Sequence, residues 1–249
     1  MLENKFLVIV DHISKYYGPL KALDSVNFVV KDGERVAVAG PSGSGKSSLL
    51  NLLAGILQPD QGQVLLDGND LSELLSRKEL SRLVGLIHQQ YDLVPQLSVI
   101  HNVLAGNLGH WGLFNSLLSL IWPKDKNQVQ DILGHLGIAD KIDDQTSHLS
   151  GGEQQRVAIA RMMVQSPQLV LADEPVASLD PARAEEGLRL ITDLVTNLNK
   201  TLVVSLHSPH LIVAYCSRVI GLRGGKLIFD LPTAEVDEHH FDQLYDIDG

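Results

Sequence analysis

The chain has one cysteine in 249 residues and fewer basic than acidic side chains. A single thiol, Cys216, cannot form an internal disulfide, which excludes the class of disulfide-stapled secreted domains and fits a reducing compartment. Twenty Lys and Arg residues against 30 Asp and Glu give a formal net charge of −10. Because a nucleic-acid surface carries a basic stripe, we expect no nucleic acid among the partners.

Long apolar runs are also missing. The longest helix-like apolar stretch, residues 113–122, is interrupted by polar side chains and is shorter than the roughly 20 residues that a membrane span needs. The first five residues lack the basic and apolar regions of a secretory signal. We therefore expect contact with a membrane only through a partner. Two interpretations of 113–122 stay open: internal packing, or a surface that faces this partner.

Short apolar runs bounded by turn residues predict an α/β fold. Early strands, among them 6–12 and 22–30, fit a small antiparallel sheet. Residues 72–82 have helical composition, and residues 90–166 are mainly helical in pattern, most clearly at 127–136 and 151–165. Buried strands at 35–39, 84–87, 169–172 and 201–205 suit a parallel core, and Gly224 and Gly225 predict a hairpin turn. We predict a phosphate-loop (P-loop NTPase, RecA-like) core with an antiparallel β subdomain and an inserted α-helical subdomain.

The sequence GPSGSGKS matches the phosphate-loop pattern G-x-x-x-x-G-K-[ST] at every fixed position. It lies between a predicted strand and a predicted helix, where backbone N–H groups and the helix N-terminus can hold phosphate oxygens. Lys46 is expected to reach the β- and γ-phosphates, and the Ser47 hydroxyl to bind Mg²⁺. The predicted nucleotide-binding residues of this loop are Gly40, Pro41, Ser42, Gly43, Ser44, Gly45, Lys46, Ser47 and Ser48.

Two carboxylates follow the apolar run 169–172. Ligand sites in open α/β sheets lie at this end of the strands. Since adjacent strand residues point to opposite faces, we expect Asp173 and Glu174 to have different roles. Asp173 suits the Mg²⁺ shell with Ser47, and Glu174 suits the general base that polarises the attacking water. His207 ends the next predicted strand and could contact the γ-phosphate; Gln89 follows another.

The segment LSGGEQQRVAIAR, 149–161, opens a helix with a serine cap and two glycines. Together with the phosphate loop and the two carboxylates, it resembles the ATP-binding subunits of ABC transporters over nearly the whole chain. We therefore expect one ABC-type domain over 1–249, with a nucleotide core at 1–89 and 167–249 and a helical subdomain at 90–166.

The resemblance also implies roles for residues that their own pattern leaves undecided. Ser150, Gly151, Gly152 and Glu153 would contact the γ-phosphate held by a second copy in a head-to-tail homodimer. Ser178, Leu179 and Asp180 would couple the two sites. Tyr17 would stack on adenine, and Gln89 would contact both Mg²⁺ and the attacking water. Many family members carry an aromatic residue where this chain has His88, which we expect to be structural.

Within the family, the phrases at 88–110 and 172–183 and the ending FDQLYDI are similar to ATP-binding subunits of phosphonate importers. This resemblance implies ATP and Mg²⁺ as cofactors, integral-membrane permease subunits, and a periplasmic or lipid-anchored solute-binding protein. It places the chain peripherally on the cytoplasmic face of the inner membrane. The transported oxyanion could be phosphonate, phosphite or phosphate. An exporter, a lipoprotein-extraction or cell-division complex, and, more remotely, a nucleic-acid-associated ABC ATPase remain alternatives.

Overall fold

The computed structural model describes residues 6–71, 77–109, 125–177 and 179–245. The apolar stretch 113–122 and Ser178, both singled out from the sequence, lie outside these ranges. So do the first five and last four residues and part of the helix expected at 72–82.

Two sheets and a set of short helices make up the described chain. The strands are β1 Phe6–Tyr17, β2 Leu20–Lys31, β3 Arg35–Ala39, β4 Gln61–Leu66, β5 Asn69–Asp70, β6 Val84–Ile87, β7 Leu169–Asp173, β8 Thr201–Ser205, β9 Arg218–Arg223 and β10 Lys226–Pro232. The α-helices are α1 Lys46–Leu53, α2 Arg77–Leu83, α3 Val99–Leu104, α4 Lys126–His135, α5 Gly151–Gln165, α6 Pro181–Asn197, α7 Pro209–Tyr215 and α8 Glu238–Tyr245.

The first sheet is antiparallel in the order β2-β1-β4-β5. Its two long strands exceed the predicted bounds: β1 continues past residue 12 to Tyr17, and β2 begins at Leu20 instead of residue 22. His12 and Ser25 adopt left-handed φ angles of 47° and 51°, and the β1–β2 register shifts around them. Such bulges bend a hairpin without ending it, which is why the sequence pattern breaks before the strands do.

The second sheet has the order β10-β9-β3-β8-β7-β6. Strands β9, β3, β8, β7 and β6 run parallel, and only β10 is antiparallel. Helix α1 packs between the two sheets in one apolar core, and α3 to α7 cover the other face in a second core. Because both faces are covered, the parallel strands are apolar except at their ends. Because β3, β8, β7 and β6 run in the same direction, their carboxyl ends lie along one edge of the sheet.

Between β6 and β7 the described residues are mainly helical. Helix α5 has the predicted bounds, and α4 begins one residue before the predicted segment 127–136. The predicted α/β architecture with an antiparallel sheet and helices inserted after β6 is confirmed. No helix within the described ranges combines the length and apolar character that crossing a bilayer requires.

Candidate active site

The loop between β3 and α1 has a backbone that only glycine accommodates at three positions. Gly40, Gly43 and Gly45 have φ angles of 152°, 77° and 105°. A Cβ added to Gly40 would lie 2.1 Å from the carbonyl oxygen of Leu222, and one on Gly45 would lie 2.4 Å from that of Ala22. Positive φ and close main-chain neighbours together explain the glycine spacing of the loop.

Lys46, the first residue of α1, is buried at 4% exposure inside this loop. Its Nζ donates hydrogen bonds to the carbonyl oxygens of Gly40 at 2.8 Å and Pro41 at 3.0 Å. The same atom lies 3.8 Å from Oε1 of Glu174. Burial lowers the pKa of Lys46, and the nearby carboxylates of Glu174 and Asp173 partly oppose that shift. The loop thus encloses a poorly solvated ammonium group.

Two acidic residues follow one another at the end of β7, and a serine of β8 bonds both of them. Asp173 pairs with Ser205 across the two strands. The Ser205 hydroxyl donates to Oδ1 of Asp173 at 2.8 Å and accepts from the backbone N–H of Glu174, also at 2.8 Å. The strand ends at Asp173, and Glu174 has a left-handed φ of 46°. Strand alternation therefore does not separate the two residues, contrary to the prediction, because Glu174 lies in a turn after the strand. Ser205 bonds the side chain of Asp173 but only the main chain of Glu174.

His207 completes this cluster from the end of β8. Its Nε2 forms a hydrogen bond with Oε1 of Glu174, the carboxylate oxygen that also faces Lys46. The His207 side chain is 39% exposed and that of Glu174 is 23% exposed. The structure therefore brings together Lys46, Asp173, Glu174 and His207, as expected for residues at the carboxyl ends of the parallel strands.

Gln89 lies exposed two residues beyond β6. The chain after it is held by α5, because the Arg161 guanidinium donates to the carbonyl oxygens of Tyr91 at 2.6 Å and Asp92 at 2.8 Å. Tyr91 and Asp92 both have left-handed φ angles. The neighbouring His88 places Nε2 3.4 Å from Oδ2 of Asp92. These contacts fix the segment that follows Gln89 relative to helix α5.

Tyr17 stands exposed at the end of β1, in the hairpin that leads into β2. Main-chain bonds attach this hairpin to the phosphate loop, since Asp24 N–H donates to the Gly225 carbonyl and Gly225 N–H donates to that of Ser44. Gly225 belongs to the predicted β9–β10 hairpin turn, which the structure contains. The hairpin that carries Tyr17 is thus bonded to the phosphate loop through Gly225. Ser47, on the first turn of α1, is exposed as well.

The segment Ser150 to Glu153 begins helix α5 with a reciprocal cap. Oε2 of Glu153 accepts from the Ser150 N–H at 2.8 Å and from its hydroxyl at 2.7 Å. These bonds lower the pKa of Glu153. In the described part of the chain, no hydrogen bond or ion pair joins this segment to residues 40–48; it borders a separate cavity of about 330 Å³.

Two members of the predicted coupling segment are described. Leu179 is half-buried, and Asp180 caps α6 by accepting from the Arg183 N–H at 3.1 Å. Ser178, the third member, lies outside the described residues.

Sequence reasoning missed several residues at this site. Ser205 carried a weak signal, as the polar last residue of an otherwise apolar strand. Tyr91 and Gln155 carried none, yet both donate hydrogen bonds to the carbonyl oxygen of Pro175, next to Glu174. Tyr245, near the end of the chain, reaches the main chain of His207. Their positions depend on packing between distant segments.

Comparison with known proteins agrees with this geometry. The family model described as "ABC transporter" matches residues 23–177. The chain therefore belongs to the ABC transporter family, and the prediction of an ATP-binding, ATP-hydrolysing subunit is confirmed.

Two similar relatives are phosphonates import ATP-binding proteins named PhnC. The chain is 45% identical to that of Pseudomonas putida, over 92% of this chain and 86% of the relative. It is also 45% identical to PhnC 1 of Pseudomonas syringae pv. tomato, over 90% and 85%.

Two solved structures are similar in fold. An ATP-binding cassette of an ABC transporter in its ADP conformation is 26% identical, with a TM-score of 0.81 over 98% of this chain and all of that one. A dimeric cassette in a post-hydrolysis state, bound to ADP and Pi, is 28% identical, with a TM-score of 0.72 over 91% and 98%.

Proposed function

We propose that this chain hydrolyses ATP at the edge where β3, β7 and β8 end, and that this drives uptake of a small oxyanion, phosphonate first among the candidates. The observation that carries the proposal is the convergence of Lys46, Glu174 and His207 beside the phosphate loop. The chemistry supplied by bound ATP is an activated phosphoanhydride whose cleavage releases free energy.

The loop fits a nucleotide. A Cβ on Gly40 or Gly45 would collide with main-chain atoms, and the Ser44 hydroxyl is buried without a hydrogen-bond partner among the described residues. Gly40 to Ser48 would hold the phosphates, with Tyr17 stacking on adenine. Lys46 would exchange its two loop carbonyls for phosphate oxygens, which would stabilise an ammonium group that burial now disfavours.

Mg²⁺ fits the oxygen donors at the same edge. The Ser47 hydroxyl, the Asp173 carboxylate and the Gln89 amide oxygen are hard ligands of the kind that Mg²⁺ prefers. The Ser205 hydroxyl would orient the Asp173 carboxylate through its 2.8 Å hydrogen bond. These residues would hold the ion, whose charge offsets that of the phosphates.

The hydrolytic step assigns different work to Glu174 and His207. Glu174 would accept the proton of the attacking water, a role worth about 10²–10⁴ in rate. His207 would orient that water and contact the γ-phosphate, and its hydrogen bond to Oε1 holds the Glu174 carboxylate at the loop. Most of the remaining acceleration would come from positioning and charge.

A second copy would complete each site. Ser150, Gly151, Gly152 and Glu153 are separate from the loop of their own chain, and they present a helix N-terminus suited to an anion. In a head-to-tail homodimer they would face the nucleotide of the partner copy. Ser178, Leu179 and Asp180 would couple the two sites. A dimer among the similar solved structures supports this arrangement.

The relatives support the proposed solute and the other proposed partners. PhnC proteins are named for phosphonate import. We therefore propose that this chain works with integral-membrane permease subunits and a periplasmic or lipid-anchored solute-binding protein. It would lie on the cytoplasmic face of the cell membrane. The chain would form one ABC-type domain, with 90–166 as the helical subdomain and 1–89 and 167–249 as the nucleotide core.

The test measures ATPase activity of the complex reconstituted in lipid. The chain is first co-expressed with the permease and the binding protein encoded beside it. Stimulation by a phosphonate or phosphite, and not by sugars or amino acids, is expected. Activity that no phosphorus oxyanion alters would remove the phosphonate assignment. Glu174→Gln should bind ATP and accumulate a closed dimer with little turnover, whereas Glu185→Gln, at an exposed carboxylate of α6, should behave as wild type.

A further inference from the structure

Helix α8, the last described element, is fixed firmly against the second sheet. Phe241 and Leu244 are buried, at 8% and 1% exposure, in the same core as α3 to α7. The guanidinium of Arg223, at the end of β9, donates to the carbonyl oxygen of Gln243 at 2.6 Å. These anchors lie immediately before Tyr245 and determine where its side chain points.

The Tyr245 hydroxyl lies against the segment that carries His207. It donates a hydrogen bond to the carbonyl oxygen of His207 at 3.4 Å. Burial raises the pKa of Tyr245, and the charge of Glu174 raises it further, against a lowering influence of the Gly40 main chain. The net effect is upward from 10.0, so the hydroxyl keeps its proton at neutral pH and remains a donor.

His207 has limited support from its own segment. Its side chain is 39% exposed, and it lies between the end of β8 and the start of α7. Ser208, which precedes α7, makes no side-chain capping bond. A hydroxyl that donates to the His207 carbonyl therefore ties this exposed segment to the anchored helix α8.

We propose that Tyr245 is a positioning residue for ATP hydrolysis, holding the main chain of His207 so that the His207 ring stays on Glu174. This inference rests on the hydrolytic site proposed above. It adds a contribution from the end of the chain, beyond the residues that the family model matches. Tyr245 acts through His207 and does not touch the reacting atoms.

The test removes the hydroxyl and keeps the ring. Tyr245→Phe should lower kcat about fivefold, the worth of one ordinary hydrogen bond, with KM for ATP and the affinity for a fluorescent ATP analogue within about twofold. Tyr215→Phe is the matched control, since it removes a hydroxyl that also makes a 3.4 Å contact, to Glu185 on the surface. Its kcat should not change.

A second readout separates positioning from general stability. The ring resonances of His207 in the full chain, assigned by their loss in His207→Gln, should move in Tyr245→Phe and stay in Tyr215→Phe. An unchanged kcat, or unmoved His207 resonances, would overturn the role of Tyr245 alone. Absence of ATPase activity in wild type, or full activity in Glu174→Gln, would instead overturn the hydrolytic site and this inference with it.

Discussion

The hydroxyl of Tyr91 donates a buried hydrogen bond of 3.3 Å to the carbonyl oxygen of Pro175. Tyr91 follows Gln89, and Pro175 follows Glu174, so one bond joins two segments that carry proposed catalytic side chains. The same carbonyl accepts from Gln155 of helix α5 at 3.2 Å. The Pro175 carbonyl thus joins the segment after β7 to the segment after β6 and to helix α5.

Removal of the Tyr91 hydroxyl should therefore weaken the fold. We expect Tyr91→Phe to lower the free energy of unfolding by about 1 kcal/mol, because a buried hydrogen bond is lost while Gln155 still satisfies the Pro175 carbonyl. Urea denaturation of the full chain measures this. Tyr215→Phe, at a partly exposed site, should stay within about 0.5 kcal/mol of wild type. Equal stability of the two variants would show that the Tyr91 bond contributes nothing.

Local patterns predicted the strands that carry the site. Bounds for β3, β6 and β8 were predicted correctly, because each is a short apolar run closed by turn or polar residues. Helix α5 was predicted correctly as well, since Ser150 is a good N-cap residue at its start.

The rest depends on contacts that no local pattern contains. Strand β1 exceeded its predicted end because a bulge preserved pairing where the alternation failed. The contacts of Tyr91 and Tyr245 join residues 84 and 38 positions apart along the chain. Such pairs are determined by packing of helices onto the sheet, so sequence reasoning identified the site's own motifs but not the side chains that support them.

Glu153 presents a charge where the proposed dimer brings a phosphate. Its carboxylate is held by Ser150 N–H and hydroxyl, which keeps its pKa low and the group ionised. Glu153→Gln retains an acceptor for the cap but removes the repulsion between this carboxylate and the phosphate. That repulsion is worth about 1 kcal/mol for two unit charges about 4 Å apart in water. We expect ATP-dependent dimerisation in the Glu174→Gln background to need about fivefold less ATP.

Sedimentation at increasing ATP concentration measures that shift. Adding Glu185→Gln to the same background removes an exposed charge away from the cap and should leave the midpoint unchanged. A midpoint for Glu153→Gln that equals this control would mean that Glu153 does not approach the nucleotide of the partner copy.

Two glycines in helices should respond in opposite directions to alanine. A Cβ on Gly187, in α6, would lie 2.3 Å from Nε2 of Gln155, which is buried and bonded to Pro175. Gly134, in α4, has no atom within 4 Å of the added Cβ. We expect Gly187→Ala to destabilise by about 1–3 kcal/mol and Gly134→Ala to stabilise by up to about 1 kcal/mol. Thermal unfolding of the two variants decides this; a stable Gly187→Ala would show that Gln155 can move freely.

Cys216 should be nearly inert in the folded chain. Burial raises the pKa of its thiol to about 12 from 9.0, so the thiolate that reacts with disulfide reagents is about 10³-fold scarcer near pH 8 than in the unfolded chain. We expect labelling by a coloured aromatic disulfide to be slower by about that factor in buffer than in guanidinium chloride. The matched control combines Cys216→Ala with Ala214→Cys, which moves the thiol from the residue after α7 to an exposed position of that helix.

The same shift makes stability depend on pH. The raised pKa means that the folded chain holds the thiol proton more tightly than the unfolded chain does. Its contribution is fully present below about pH 9 and is lost as pH rises toward about 12. Wild type should therefore lose more stability than Cys216→Ala between about pH 8 and pH 10 in urea titrations. Parallel losses, together with native labelling as fast as the exposed control, would place the Cys216 thiol at the surface and contradict the packing of α7 on the sheet.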